Sequence, residues 1–369
     1  MEELQKHLHD TELIQTLFSP KINIDSALQK LLSEANIALG RLSGNIELIK
    51  EIELYAFLFL LKESVSSCSI DEEQISFYEV LKKYLNVYDL ILDKNVNYVL
   101  NYSTTLNIGH QLLKEQNISL DFIKKSHKNL LMGIKNSNVM PGEFRRGVGW
   151  NESLGKGSTS YVHPANRSLL SGLEAFQKFI TCEHEYPVLI TAAYMHVFFL
   201  RLKPFLSDNG KIARMLILHY LYKTQLLKLP LLCMSEIFYK HKADYMNKIA
   251  SVYTQDGLEG WVKYFLRAFI ASTEKTINIL KMIQRMKESD YSLIKSFGRS
   301  TVKGNIVLNY LFEYPLVRIK DIEKITGLKN PNALALMAKF QRMNIVCEIT
   351  GQKRNRIFAY KRYIDLFLN

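Results

Sequence analysis

The chain has 369 residues, 47% of them apolar and 23% charged, with only 17 Gly and 8 Pro. That composition excludes collagenous, low-complexity and largely disordered proteins, and the length suffices for two or three domains with cores of their own. The 48 Lys and Arg outnumber the 36 Asp and Glu, a formal net charge of +12, so nucleic acid, nucleotides and acidic surfaces are the partners that charge admits.

Apolar residues recur at spacings of three and four through the first hundred positions (Leu13, Ile14, Leu17; Leu28, Leu31, Leu32; Leu54, Phe57, Leu58, Leu61), which predicts a bundle of helices. The longest apolar run, Leu54 to Leu61, is far shorter than the ~20 residues of a membrane span. Between Pro141 and Pro164 five glycines, Trp150 and the pair Tyr161-Val162 predict a β-hairpin or long loop. Helical periodicity returns at about Ser171 and runs to about Ser289, with breaks near Pro187, Pro204 and Pro230. Met1 to Asp10 has no basic stretch leading into an apolar one, so no secretory signal is read. Cys68, Cys182, Cys233 and Cys347 are dispersed and form no CxxC pair, which points to a reducing compartment; a soluble, cytoplasmic protein is expected.

The last seventy residues have a different pattern. Helices are predicted over Ile306–Phe312, Ile319–Ile325 and Pro331–Met343, followed by β-type runs at Ile345–Ile349 and Ile357–Tyr360 around a polar turn. Helix-turn-helix followed by a hairpin is the layout of a winged helix. From Thr301 to Asn369 there are 12 Lys and Arg against 5 Asp and Glu, so more than half of the net charge lies here. Lys353, Arg354 and Arg356 in the turn suit contacts to DNA phosphates. The polar positions of the third helix, among them Asn330, Asn332, Lys339, Gln341 and Arg342, are a modest set for reading bases. The alternative is a module for protein contact or dimerisation.

One segment combines turn residues with the start of a helix: Lys203-Pro204-Phe205-Leu206-Ser207-Asp208-Asn209-Gly210-Lys211-Ile212-Ala213-Arg214. Free backbone N–H groups and the helix dipole favour an anion at such a point. Lys211 and Arg214 share one face of the first turn, where cations oppose the dipole unless an anion accompanies them. The plainer reading is a polar cap with solvated basic residues. Gly155-Lys156-Gly157-Ser158 lacks the first Gly and the Ser/Thr of a P-loop. His184 has no partners at metal-ligand spacing, and His196 and His219 fall on apolar helix faces, as core histidines do.

The same segment, preceded by the helix through Ala192-Ala193-Tyr194-Met195-His196, resembles the signature of the Fic (filamentation induced by cAMP)/DOC family, His-Pro-Phe-x-Asp/Glu-Gly-Asn-Gly-Arg-x-x-Arg. Pro141 to Arg145, with Trp150 and Val162-His163-Pro164, resembles the family's target-docking flap, and Glu63 to Asp71 resembles its N-terminal inhibitory helix, Ser/Thr-x-x-x-Glu-Gly/Asn. The resemblance implies a mainly α protein: an N-terminal helical region (1–105) holding the inhibitory-type segment (63–74), a Fic-fold helical bundle with a β-hairpin flap (106–275), a connecting helix (276–300) and the winged helix (301–369). It also implies transfer of AMP from ATP, with Mg²⁺, to a hydroxyl of a target protein. Phosphates would lie on Asn209, Gly210, Lys211 and Arg214, the target against Phe144, Arg145 and Trp150, and the inhibitory contact would come from Ser67, Asp71 and Glu72.

The departures fall on the chemistry. Lys203 occupies the place of the family's catalytic His, and an amine with a reference pKa of about 10.4 does not readily accept a proton at neutral pH. Ser207 replaces the Mg²⁺ carboxylate, which leaves Asp208, in the position of the family's first Gly, as the candidate metal ligand. The resulting expectation is a weak or inactive transferase. The alternative is a DNA-binding regulator whose Fic core is a nucleotide sensor or scaffold.

Overall fold

The computed structural model describes residues 22–71, 75–84, 94–134, 140–146, 166–182, 184–252, 257–352 and 355–368. The helical signals around Leu13 to Leu17 and most of the expected flap, 147–164, lie outside them.

Helix α1 (Ser26–Leu48) starts where the Asp25 carboxylate accepts from Leu28 N–H at 2.7 Å, and it buries Leu28, Ala35, Ala38 and Leu42 along one stripe. That stripe lies on the long helix α11 (Gly257–Ile294), whose 38 residues extend about 57 Å at ~1.5 Å per residue. Asp25, Arg41 and Glu51 meet Lys263, Glu274 and Lys287 in that order, so this pair of segments runs in the same direction.

Helix α2 (Glu53–Asp71) is buried on all sides over its second half. The small residues Ser64, Ser66, Ser67, Cys68 and Ser69 allow close approach of α4 (Lys94–Leu112), α8 (Asn209–Lys223) and α9 (Met234–Lys240). Helix α3 (Phe77–Tyr84) follows α2, and α5 (Leu120–Leu130) lies against α4. Helix α6 (Asn166–Thr181) leads to α7 (Val188–Leu202), which is apolar around nearly its whole circumference and therefore central. Trp261 of α11 locks onto it by donating Nε1–H to Ala193 O at 2.7 Å. Helix α10 (Lys242–Ser251) completes the bundle.

The C-terminal unit runs from α12 (Thr301–Glu313) through β1 (Leu316–Arg318), α13 (Ile319–Thr326), α14 (Asn330–Arg342), β2 (Cys347–Glu348) and β3 (Ile357–Ala359) to α15 (Lys361–Asp365). Its antiparallel sheet has the order β1-β3-β2, with Val317 opposite Phe358 and Cys347 opposite Ala359. Strand β1 was not expected: it lies beside the Tyr314-Pro315 break and is three residues long, too short to show alternation. The helix before it begins five residues earlier than Ile306, and both hairpin strands are shorter than the apolar runs that suggest them. Among the described residues, no helix is long and apolar enough to cross a membrane.

Candidate functional site

The site is built where α7 ends and α8 begins. Lys203 stops α7 in a left-handed conformation (φ 42°), with its N–H still on Phe199 O at 3.1 Å. Phe205 then turns inward, stacked on the His127 ring at 3.8 Å. Asn209 holds the loop closed from both ends: its Oδ1 accepts from Phe205 N–H and its Nδ2 donates to Phe205 O, each at 2.9 Å. Asp208 is left-handed as well (φ 60°), the backbone state that glycine adopts freely and Asp tolerates better than most residues.

Two cations in the first two turns of α8 are buried, Lys211 and Arg214, each 2% exposed. Both are matched by carboxylates of the chain itself. Lys211 Nζ lies 2.9 Å from Asp208 Oδ1 and 3.7 Å from Asp71 Oδ2. Arg214 Nη2 donates to Asp71 Oδ2 at 2.5 Å and to Ser67 O at 2.9 Å, while Nε donates to Ser67 Oγ at 2.8 Å. Burial is the largest single effect and would lower both cations' pKa values, but Asp71 together with Asp208 at Lys211, and Asp71 together with Tyr245 and Tyr102 at Arg214, outweighs it and both are raised. Asp208 shows the converse: burial raises its carboxyl, and Lys211 with the Ser207 hydroxyl brings it below the usual carboxylate value. Gly210 makes this packing feasible, because a Cβ there would stand 2.9 Å from Arg214 Nη1 and 3.2 Å from Asp71 Oδ1.

The carboxylate comes from α2. Glu63, Ser67 and Asp71, spaced by four, form one face of that helix. Ser67 and Asp71 reach Arg214, and Glu63, 1% exposed, accepts from Ser235 N–H at 2.9 Å and from the Ser235 hydroxyl at the start of α9. Burial pushes the Glu63 carboxyl up to about 7, against the opposing pull of the Ser235 bonds and of Arg214. Sequence reasoning assigned Glu63 no task, although the repeat of four that ends in Asp71 marks it as part of the same face.

Residues 29–111 match the model of the Fic/DOC family N-terminal region, and residues 117–221 match that of the Fic/DOC family. The chain belongs to the Fic/DOC family. In fold it is similar to the crystal structure of a Fic family protein from Desulfovibrio desulfuricans G20, with a TM-score of 0.60, 14% identity, and coverage of 92% of this chain and 98% of that one. A Fic domain containing signaling protein from Bacteroides thetaiotaomicron gives a TM-score of 0.56 at 16% identity over 69% of this chain and 97% of that one. Residues 134–508 of Fic-1 from C. elegans give 0.51 at 16% identity, covering 78% of each chain.

Several candidate site residues of this Fic protein are engaged by other parts of the chain. Lys211 and Arg214 were expected to make sense mainly with a bound anion; Asp71 and Asp208 are that anion. Asn209, a candidate phosphate ligand, has its side chain committed to the backbone of Phe205. Arg145, expected to face a target, is 3% exposed and donates Nε to Lys203 O at 2.8 Å and Nη2 to Leu202 O at 3.3 Å, a cation on the carbonyl end of α7. Phe144 leans on Phe205 at 5.2 Å. His196 hydrogen-bonds Tyr245 at 2.8 Å and stacks on Trp261; burial lowers its pKa to about 3, as befits a core histidine. Glu72, Trp150, Lys353 and Arg354 lie outside the described residues.

The residues present do not fit Mg²⁺. No carboxylate stands at the signature's metal position, and the Asp208 carboxylate beside it is taken by Lys211 and Ser207. Among the described residues there is no group of three or more His, Cys, Asp or Glu that could hold a metal ion.

In the C-terminal unit Arg356 is exposed and donates Nε to Gln352 O at 3.1 Å. Lys339 turns inward, donating to Phe297 O at 3.0 Å and Ser300 Oγ at 3.1 Å, and the exposed Arg362 at the start of α15 pairs with the buried Asp290 at 2.8 Å.

Proposed function

We propose that this protein retains the frame of a Fic-type protein adenylyltransferase but transfers AMP from ATP to protein hydroxyls weakly or not at all. The observation that carries the reading is the enclosure of Lys211 and Arg214 by Asp71. The two cations that would meet a nucleotide's phosphates are neutralised by the chain, so a nucleotide must first displace the partly exposed Asp71 carboxylate from its charge-assisted contacts with two buried cations. Lys203 stands where the incoming hydroxyl would need a base, and loss of a general base alone costs about 10²- to 10⁴-fold in rate. The chain's own contributions are an oriented helix start, a closed loop held by Asn209, and a cation pair gated by α2.

Incubation with ATP labelled at the α-phosphate, Mg²⁺ and cell lysate tests this. Negligible labelling is expected from the natural sequence, and measurable labelling from Lys203→His/Ser207→Asp/Asp208→Gly combined with Asp71→Asn. Strong labelling by the natural sequence that vanishes in Lys203→Ala would overturn the reading.

A second reading is supported by the helix, strand, two helices and hairpin of residues 301–360, the order of a winged helix with α14 as the reader. Asn332, Ala335, Ala338 and Arg342 are exposed on that helix, and Arg356 is exposed in the hairpin turn. If the unit serves DNA, duplex binding falls steeply with salt and drops in Lys353→Ala/Arg354→Ala/Arg356→Ala; unchanged binding in that variant removes the reading.

A further inference from the structure

The end of the chain reaches back across the molecule to the helix that carries Asp71. Tyr363 and Phe367 are both buried, with their rings 5.7 Å apart. Tyr363 meets Tyr55 of α2 at 6.5 Å, and Phe367 stands edge-on to Phe59 of α2, with ring centroids 4.9 Å apart and planes at 80°. The Phe367 ring also lies parallel to that of Phe77, the first residue of α3, at 6.4 Å. Phe59 precedes Asp71 and Phe77 follows it, so a single ring from the last turns of the chain touches the segment on both sides of the carboxylate.

Asp71 needs such a restraint. It is the last residue of α2, its side chain is 27% exposed, and helix ends open locally more readily than their middles. The Ser69 hydroxyl, in the last turn of α2, accepts from Ile75 N–H at 3.3 Å, which joins the approach to α3 to that turn. For Asp71 to swing off Arg214, the end of α2 and the start of α3 must therefore move together, and Phe77 must leave the Phe367 ring. Phe59, in the more deeply packed part of α2, holds the same ring from the other element. Each aromatic pair of this kind shifts an equilibrium by about two- to tenfold beyond what its buried area supplies.

We propose that the C-terminal tail is an autoinhibitory wedge: Phe367, seated on Phe59 and Phe77, holds the end of α2 and the start of α3 so that Asp71 stays on Arg214. The consequence for nucleotide rests on the proposed function, in which Asp71 competes with phosphates; the restraint on α2 does not. Because the tail follows directly on β3, the wedge gives the C-terminal unit a hold on the Fic site.

Hydrogen exchange and calorimetric titration of ATP with Mg²⁺, compared for the natural sequence, Phe367→Ala, Asp71→Asn and Phe367→Ala/Asp71→Asn, test the wedge. In Phe367→Ala, residues 63–71 are expected to exchange at least about fourfold faster while residues 188–202 of α7 keep their rate, the effect of losing two aromatic pairs at about twofold each. ATP should bind at least about fourfold tighter for the same reason. In the Asp71→Asn background the same change leaves ATP affinity within about twofold, since the wedge acts through that carboxylate. Phe367→Leu, which keeps an apolar side chain in the slot, returns both readouts toward the natural values. If Phe367→Ala does not fold, Phe77→Ala removes the α3 side of the contact and carries the same expectation. Unchanged exchange over 63–71, or an equal increase over 188–202, overturns the proposal. Tighter ATP binding in Asp71→Asn with no gain in Phe367→Ala overturns it too and leaves the proposed function standing. Faster exchange over 63–71 with no ATP gain in either variant supports the wedge and overturns the competition by Asp71.

Discussion

Asp71 differs from the glutamate of the inhibitory pattern by one methylene, yet it reaches Arg214 because Gly210 leaves room for the pair and Ser67 positions the guanidinium from the preceding turn of α2. On the same face Glu63 sets a pH dependence. The carboxyl titrates near 7 in the folded chain and at about 4.3 unfolded, so between those values the folded state holds a proton that the unfolded state lacks. The sign follows: stability falls as pH rises through that window, by about 4 kcal/mol at most, and then levels off. Urea midpoints at pH 5 and pH 8 should therefore differ more in the natural sequence than in Glu63→Gln, which has no proton to lose. An identical pH response in the two would remove Glu63 as the cause.

Among the elements, those with long apolar stripes are legible from sequence: α1 through Leu28, Ala35 and Leu42, and α7 through its continuous apolar circumference. The start of α8 is legible for another reason, since Asn209 and Gly210 follow a turn-rich stretch. Strand β1 is not, because three residues carry no period, and neither is the direction of Arg145, Lys339 and Arg362. A basic residue in a turn or at a helix end reads as solvated until the carbonyls or carboxylates it meets, such as Lys203 O, Phe297 O and Asp290, are placed by distant parts of the chain. The Asp71 pairing lies between these cases: the motif names both partners, while the burial that makes the pair strong comes from packing of α2, α4 and α8. Asp290 carries an element-scale prediction. Fully buried on α11, it accepts from the Tyr360 hydroxyl and from Arg362 at 2.8 and 2.9 Å, tying the strand β3 and α15 junction to the long helix. Asp290→Ala should destabilise that junction by about 1–3 kcal/mol, chiefly because the buried Tyr360 hydroxyl loses its acceptor, while the half-exposed Arg362 turns to water. Hydrogen exchange should then quicken in residues 357–365 before the rest of the chain; uniform exchange would refute the anchoring role.

At the scale of the molecule α2 is the shared part. Its first half packs on the C-terminal unit through Tyr55 on Phe312 at 5.5 Å and Phe59 on Phe367 at 4.9 Å, and its last turn closes over Arg214. A helix held at both ends in close-packed surroundings does not swing freely, so under the proposed function the carboxylate it carries is a standing competitor for phosphates. Calorimetric titration of ATP with Mg²⁺ into the natural sequence and into Asp71→Asn is the most direct measure of that competition. At least about tenfold tighter ATP binding by Asp71→Asn is predicted, the worth of one charge-assisted contact regained. Equal affinities in the two proteins, or no binding by either, would contradict the proposal that Asp71 occupies the cations a nucleotide's phosphates would meet.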